Sequence, residues 1–200
     1  MKGVQLRVGY LPYPERLYRL IEIAIEKSLD FLGCAILVSF HARCDKLYSF
    51  LVRDRRFVSR IDYPLAKSLD DRYELDSEVT LSSLDLHEGD DFLFRYGRGA
   101  DIEFDVKFES FIETDVACRI LEGRGCGILE ERRRFLDYYF ENEDQEVFFS
   151  PIVQRKVKKE EYFGFDFDSF DEVVENRRLA ESLEEVLKRY REATPMLPCF

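Results

Sequence analysis

The residues best placed to do chemistry lie in RILEGRGCGILEE, Arg119 to Glu131, where Gly123, Gly125 and Gly127 alternate with Arg124 and Cys126. Glycines at every second position ahead of a helix can aim backbone N–H groups at an anion, and Arg124 would add a positive charge. The spacing is neither G-x-x-x-x-G-K-[ST] nor G-x-G-x-x-G, so it carries no nucleotide-binding fingerprint. Glu130 and Glu131 stand where the same helix start would attract an anion, and that field is worth only about 0.3–1 kcal/mol to an exposed charge. The plainer reading is a tight turn whose glycines take positive φ. Cys126 is the one thiol whose setting, a glycine-rich helix start, would lower a pKa. It is the residue to test as a nucleophile, and it is expected to be inert.

A second Gly-Arg-Gly, residues 97 to 99, lies in the loop GRGAD. Two arginines on glycine turns could converge on one anion or carboxylate, although nothing in the sequence brings them together. The ligand-binding candidates are therefore Tyr96, Arg98, Gly99 and Asp101 on one turn, with Gly123, Arg124, Gly125 and Glu130 on the other. Asp166, Asp168, Asp171 and Glu172 could supply oxygen ligands to a hard metal. They lack the glycine and terminal glutamate of an EF-hand loop, and helix capping explains them without an ion, so no metal is assigned. The two histidines have plain roles available: His41 closes a helix, where it favours the C-terminal dipole, and His87 lies in a polar turn beside Glu88. No nucleophile elbow, no H-E-x-x-H and no Cys/His pairing with local context occurs.

These residues must be positioned by a sheet and a few helices. Val4 to Tyr10 alternates apolar and polar and is closed by Pro12 and Pro14, which predicts a strand and a turn. Ile21, Ile23 and Ile25 share one face at period two, so Tyr18 to Ile25 is a second strand. Ser28 is a candidate N-cap, and the helical spacing of Leu29, Leu32, Ala35, Ile36, Ser39 and Phe40 predicts a helix ending near His41. Lys46 to Val52 is a third strand. Residues 53 to 78 read as a loop with short strands around Phe57 to Ile61. Asp91 to Tyr96 and Ile102 to Phe111 flank GRGAD as a hairpin. In the second of these, Ile102, Phe104, Val106 and Phe108 alternate with charged residues, giving one buried and one wet face.

Beyond the glycines, Ile128, Leu129, Arg132, Phe135, Leu136, Tyr139 and Phe140 repeat at helical spacing. The acidic run ENEDQE then reads as an exposed connection, and Val147 to Val153 as a short apolar segment. Ser169 with Glu172 has the spacing of a capping box. The helix that follows carries a stripe of Leu179, Leu183, Val186, Leu187 and Tyr190, and prolines 195 and 198 lie beyond it. The expected fold is α+β, an antiparallel sheet that starts strand-strand-helix, contains a central hairpin and carries packed helices. Residues 1–165 would form the domain, and residues 166–200 a helical extension packed on it.

Composition narrows the function. Two hundred residues with 46% hydrophobic content, 18 Phe and 11 Tyr can build a large aromatic core. A net charge of −11 repels phosphate backbones and disfavours non-specific nucleic-acid and anionic-membrane binding. Arg132 to Arg134 and Arg155, Lys156, Lys158 and Lys159 are local basic spots that read as solvated faces. Five cysteines without a C-x-x-C pair fit free thiols in a reducing cytosol. The N-terminus lacks the apolar core of a signal peptide, and no segment approaches the ~20 apolar residues of a membrane helix. The expectation is a cytoplasmic protein with no cofactor.

Five ordered segments carry a family resemblance: RLYRLIEIAIEKSLDFLGCAIL, DKLYSF, LHEGDDFLFRYGRGADIEF, RILEGRGCGILEE and FGFDFDSFDEVVENRRL. Together they resemble the plasmid pRiA4b open-reading-frame-three-like family, some members of which are labelled insertion-sequence passenger or "TnpR"-like proteins. The resemblance runs from about Val4 to Leu179. It implies a compact α+β fold with an antiparallel sheet, and it implies no reaction. The family pattern has a histidine before the Leu-Tyr-x-Phe strand, where this chain has Lys46. Of the family hairpin Tyr-Asp-Phe-Gly-Asp-Asp-Trp, Tyr96, Gly99 and Asp101 are kept. The expected function is a non-catalytic domain that binds a protein or small-molecule partner, in the setting of mobile elements. The alternatives are a metal-assisted hydrolase or a thiol enzyme using Cys126, and, in third place, a nucleic-acid-associated protein acting through the arginine turns.

Overall fold

Strict alternation at the N-terminus produces strand β1, Lys2–Tyr10, whose Val4, Leu6, Val8 and Tyr10 are all buried. In this computed structural model the described residues are 1–97, 102–128, 130, 133–141, 147–150, 154–158 and 167–194. β1 pairs antiparallel with β2, Tyr18–Ala24, on one side and with β7, Ile102–Glu113, on the other. The sheet also contains β3 (Tyr48–Val52), β4 (Arg55–Val58), β5 (Tyr73–Leu75), β6 (Asp91–Tyr96) and β8 (Cys118–Arg124). Their order across the eight strands is β5-β4-β3-β6-β7-β1-β2-β8. Every pairing is antiparallel except β4 with β5. β9 (Val147–Ser150) and β10 (Arg155–Lys158) form a separate antiparallel pair.

Helix α1, Leu29–Ser39, is buried at every residue. Its sequence, LDFLGCAILVS, is apolar nearly all round, which suits a helix covered on all sides rather than on one stripe. The inner face of the sheet lies beneath it. α4, Glu172–Glu192, packs over α1 with the predicted stripe Leu179, Leu183, Val186, Leu187 and Tyr190. Ser28 holds the N-cap position of α1 with extended backbone, but its hydroxyl turns to the Asp30 carboxylate rather than to a helix amide, and Leu29 N donates instead to Val79 O at 2.8 Å. At the other end Phe40 donates to Ile36 O, and His41 turns the chain out of the helix at φ +57°.

Several sequence expectations need correction. Residues 53 to 78 hold more order than a loop: β4, then helix α2 (Tyr63–Leu69), then β5. Of α2 only Ala66 is buried, so it has no apolar stripe to announce it, and Pro64 in its first turn is the remaining cue. The helix after the glycines does not begin at Ile128. That residue donates its N–H to Phe40 O, and α3 spans Arg133–Glu141. The C-terminal helix is capped two residues later than the Ser169–Glu172 spacing suggests, by Asp171, whose carboxylate accepts from Val174 N at 3.0 Å. Ahead of that cap, the carbonyls of Phe167 and Asp168 face the glycine turn. Cys126 N donates to Phe167 O at 2.9 Å, and Gly125 N lies 3.4 Å from Asp168 O. The ENEDQE connection and prolines 195 and 198 lie outside the described residues, except for Glu141 at the end of α3.

Candidate functional site

The glycine turn is organised by Arg19, an arginine in phase with Ile21 and Ile23 on the inward face of β2. It is fully buried and hydrogen-bonds only to main-chain carbonyls. Its Nε donates to Ser39 O at 3.1 Å, one terminal nitrogen to Tyr18 O and Arg124 O at 2.8 Å each, and the other to Gly125 O at 2.8 Å. The guanidinium lies 5.0 Å from the Phe40 ring centroid and 4.9 Å from that of Phe170. Burial lowers its pKa to about 10, against the attraction of Glu175, so it stays a cation at neutral pH.

Gly125 and Gly127 take φ +85° and +116°, as the tight-turn reading predicts. A Cβ on Gly125 would lie 2.6 Å from Leu17 Cδ1, and one on Gly127 would lie 2.7 Å from Phe40 O. Gly123 is required for a different reason, because a Cβ there would meet the Phe170 ring at 2.6 Å and Arg19 Cδ at 2.9 Å. The clash at Gly127 is with backbone, which cannot swing aside. Gly127→Ala is therefore expected to destabilise the fold by about 2–4 kcal/mol, read as a lower urea midpoint at unchanged slope. A loss below about 0.5 kcal/mol would show that the turn relaxes freely.

Arg124 finds a carboxylate, that of Asp168. Arg124 Nε donates to Asp168 Oδ1 at 3.1 Å, Arg16 reaches both oxygens at 3.1 and 3.3 Å, and the Tyr139 hydroxyl donates at 3.0 Å. Burial pushes the Asp168 carboxyl up. The hydrogen bonds from Arg16 and Tyr139 and the two guanidinium charges outweigh it, leaving the group below its ordinary value. Asp168 thus joins the loop before β2, the end of β8 and α3. Sequence reasoning assigned it to helix capping and missed Arg16 and Arg19 altogether. The available signal for Arg19 was a charged residue in the period-two row of inward isoleucines.

Tyr96 and Glu130 come together elsewhere, around the loop after α1. Glu130, its side chain 3% exposed, accepts from Arg43 N at 2.7 Å and lies 3.2 Å from Lys46 Nζ. Lys46 also stands 5.7 Å from the Tyr96 ring centroid. The Tyr96 hydroxyl accepts from Asp45 N at 3.1 Å and donates to Asp45 Oδ1 at 3.3 Å. Burial pushes its phenol up, and the Glu130 charge adds to this. The lysine that stands in place of the family histidine is thus half of an ion pair with the glutamate of the glycine motif. Arg98, Gly99 and Asp101 lie outside the described residues. The candidates accordingly divide between two places: Gly123, Arg124 and Gly125 at the Asp168 clamp, and Tyr96 and Glu130 at Lys46.

His41 pairs with the buried Glu175 of α4, its Nε2 lying 2.8 and 2.9 Å from the two carboxylate oxygens. Burial raises the Glu175 carboxyl, but His41, Arg178 and Arg19 together hold it below its ordinary value. Cys34, Cys44, Cys118 and Cys126 are free thiols. Burial pushes Cys34 up, Cys44 to about 11 and Cys118 to about 12. Cys126 is half-buried against the core. Among the described residues no cluster of three His, Cys, Asp or Glu side chains is arranged to hold a metal ion. No described helix is long and apolar enough to cross a membrane.

A mixed, mostly antiparallel eight-stranded sheet covered by a wholly buried helix, with a glycine turn fastened by a buried arginine, defines an α+β protein. The chain belongs to the plasmid pRiA4b ORF-3-like protein family, whose model matches residues 2–172. Among solved structures it is similar to MM3350, a protein of unknown function from Methanosarcina mazei Go1. That likeness has a TM-score of 0.61 at 15% identity and covers 86% of this chain and 95% of the other. At such identity it shows the fold alone. No curated protein matches the chain.

Proposed function

We propose that this protein is a non-catalytic binding domain for a protein or small-molecule partner, acting in the setting of mobile elements. In this reading residues 1–165 form the domain and residues 166–200 an extension seated on it. One observation carries the reading: the groups that the motifs put forward for chemistry are committed to holding chain segments together. Arg124 is bound to Asp168, Glu130 to Lys46 and the Arg43 amide, and His41 to Glu175. Arg19, the most deeply placed cation of the turn, hydrogen-bonds to carbonyls alone. Such an arrangement fixes shape, which a binding surface needs.

The test is metal analysis of the purified protein together with the rate of thiol modification by a disulfide reagent, compared with Cys126→Ala. The expected result is no stoichiometric metal, slow modification, and a rate that Cys126→Ala barely changes. Stoichiometric metal would favour the hydrolase alternative, and a fast thiol lost in Cys126→Ala the thiol enzyme.

A further inference from the structure

A cleft of about 290 Å³ opens between the end of α1, the loop after it and α4. Its lining runs against the charge of the whole molecule. Arg43, Arg178 and Arg189 face it against one carboxylate, Glu185, a local excess of two positive charges in a chain of −11. Val38, Ala42 and Val186 supply apolar wall, and Ser182 a hydroxyl.

The three arginines are not equivalent. Arg43 lies 3.0 Å from Asp45, and Arg189 lies 3.3 Å from Glu185, one helical turn away. Their side chains are 57% and 52% exposed, so both of these pairs are weak. Arg178 is half-buried, and among the described residues it makes no hydrogen bond or ion pair. Glu175, three residues before it on α4 and within reach of its charge, is already held by His41. The Arg178 charge also acts against the buried Arg19 guanidinium, an unfavourable encounter that an anion beside Arg178 would offset. Arg178 and Ser182 are four residues apart on α4 and therefore share a face. Arg189 lies eleven residues beyond Arg178, roughly 16 Å along the helix axis, too far for one compact anion to engage both.

We propose that this cleft binds a small molecule carrying one oxyanion, a phosphoryl or carboxylate group, on a short apolar body. The anion seats on Arg178 and Ser182 beside His41, and the body lies along Val38, Ala42 and Val186. Guanidinium groups pair with both oxyanions in the same forked geometry, which is why the two are named together. The volume is at the small end of ligand sites, and the acidic surroundings repel a polyanion. The proposal rests on the binding-domain reading and gives that reading a ligand class.

Calorimetric titration at low ionic strength with phenyl phosphate and with benzoate, using phenol as the uncharged control, tests it. At least one anion is expected to bind one-to-one and at least about tenfold more tightly than phenol, and the difference between the two identifies the head group. Arg178→Gln should weaken that binding about tenfold or more, Ser182→Asp should abolish it, and Arg189→Gln should weaken it less. Ser182→Asp, which adds a negative charge where the anion would sit, decides the matter if Arg178→Gln folds poorly. Binding of both anions no tighter than phenol, or unaltered by Ser182→Asp, overturns the cleft assignment and leaves the binding-domain reading to its own test. Release of phenol from phenyl phosphate would overturn the non-catalytic reading while the anion site stood.

Discussion

Replacing Arg19 with alanine is expected to cost about 3–5 kcal/mol of folding stability, a large share of the roughly 5–15 kcal/mol typical of a folded domain. Four hydrogen bonds disappear at once, and the buried pair among them leaves the carbonyls of Ser39 and Gly125 without the guanidinium. A buried acceptor without a partner costs roughly 1–3 kcal/mol, and the lost side chain leaves a void between Phe40 and Phe170. Relaxation and entering water recover part of that sum, which sets the lower figure. Arg19→Lys should restore about half, because an ammonium fills some of the volume but cannot fork to carbonyls on opposite sides. Urea unfolding of the three proteins measures the effect as a midpoint shift. An alanine variant within about 1 kcal/mol of wild type, or a lysine variant equal to it, would mean that the turn is held by its own backbone.

The second large effect is a dependence on pH centred on Asp76, which sits in a short 3-10 turn, Asp76–Glu78, and is 1% exposed. Burial raises its carboxyl from 3.8 to about 7, and the charge of Asp30 on α1 adds to the rise. The Tyr48 hydroxyl on β3, the Ser77 amide and Arg191 on α4 oppose it. Arg191 is itself engaged with Asp30, at 2.6 and 3.1 Å, so its charge is shared. Because the folded state holds this proton more tightly than the unfolded chain, the stabilisation is complete below about pH 4 and is lost as pH rises through about 7. The displacement corresponds to a total on the order of 4 kcal/mol, of which about 2–3 kcal/mol falls between pH 5 and pH 8. Asp76→Asn removes the ionisation, so its urea midpoint should gain on wild type as pH rises from 5 to 8. If the difference between the two proteins is the same at both pH values, Asp76 is not the group responsible.

What could be read from the chain follows the range of the interactions involved. Period-two rows in β1, β2 and β7 and the stripe on α4 repeat one burial direction over many residues, so pattern alone places them. The helical spacing of Leu29, Leu32, Ala35 and Ile36 likewise places α1, while its burial on every side comes from the structure. α2 and β5 escape such reading because short, half-exposed elements repeat nothing. In the site, the alternating glycines reveal a turn with positive φ. They do not reveal that Arg19, 105 residues from Arg124 along the chain, holds it.

The amino-acid sequence by itself determined the α+β class, the family resemblance, the hairpin and the conformational need of the glycine turn, because each rests on local pattern and backbone sterics. Tertiary structure alone decided the partners. Arg124 meets Asp168 across 44 residues, Lys46 meets Glu130, and Arg178 faces a cleft with no ion-pair partner among the described residues. A charged side chain looks the same in sequence whether it staples, pairs or waits. Only the meeting of distant segments, through burial and the few ångströms over which hydrogen bonds act, separates the three.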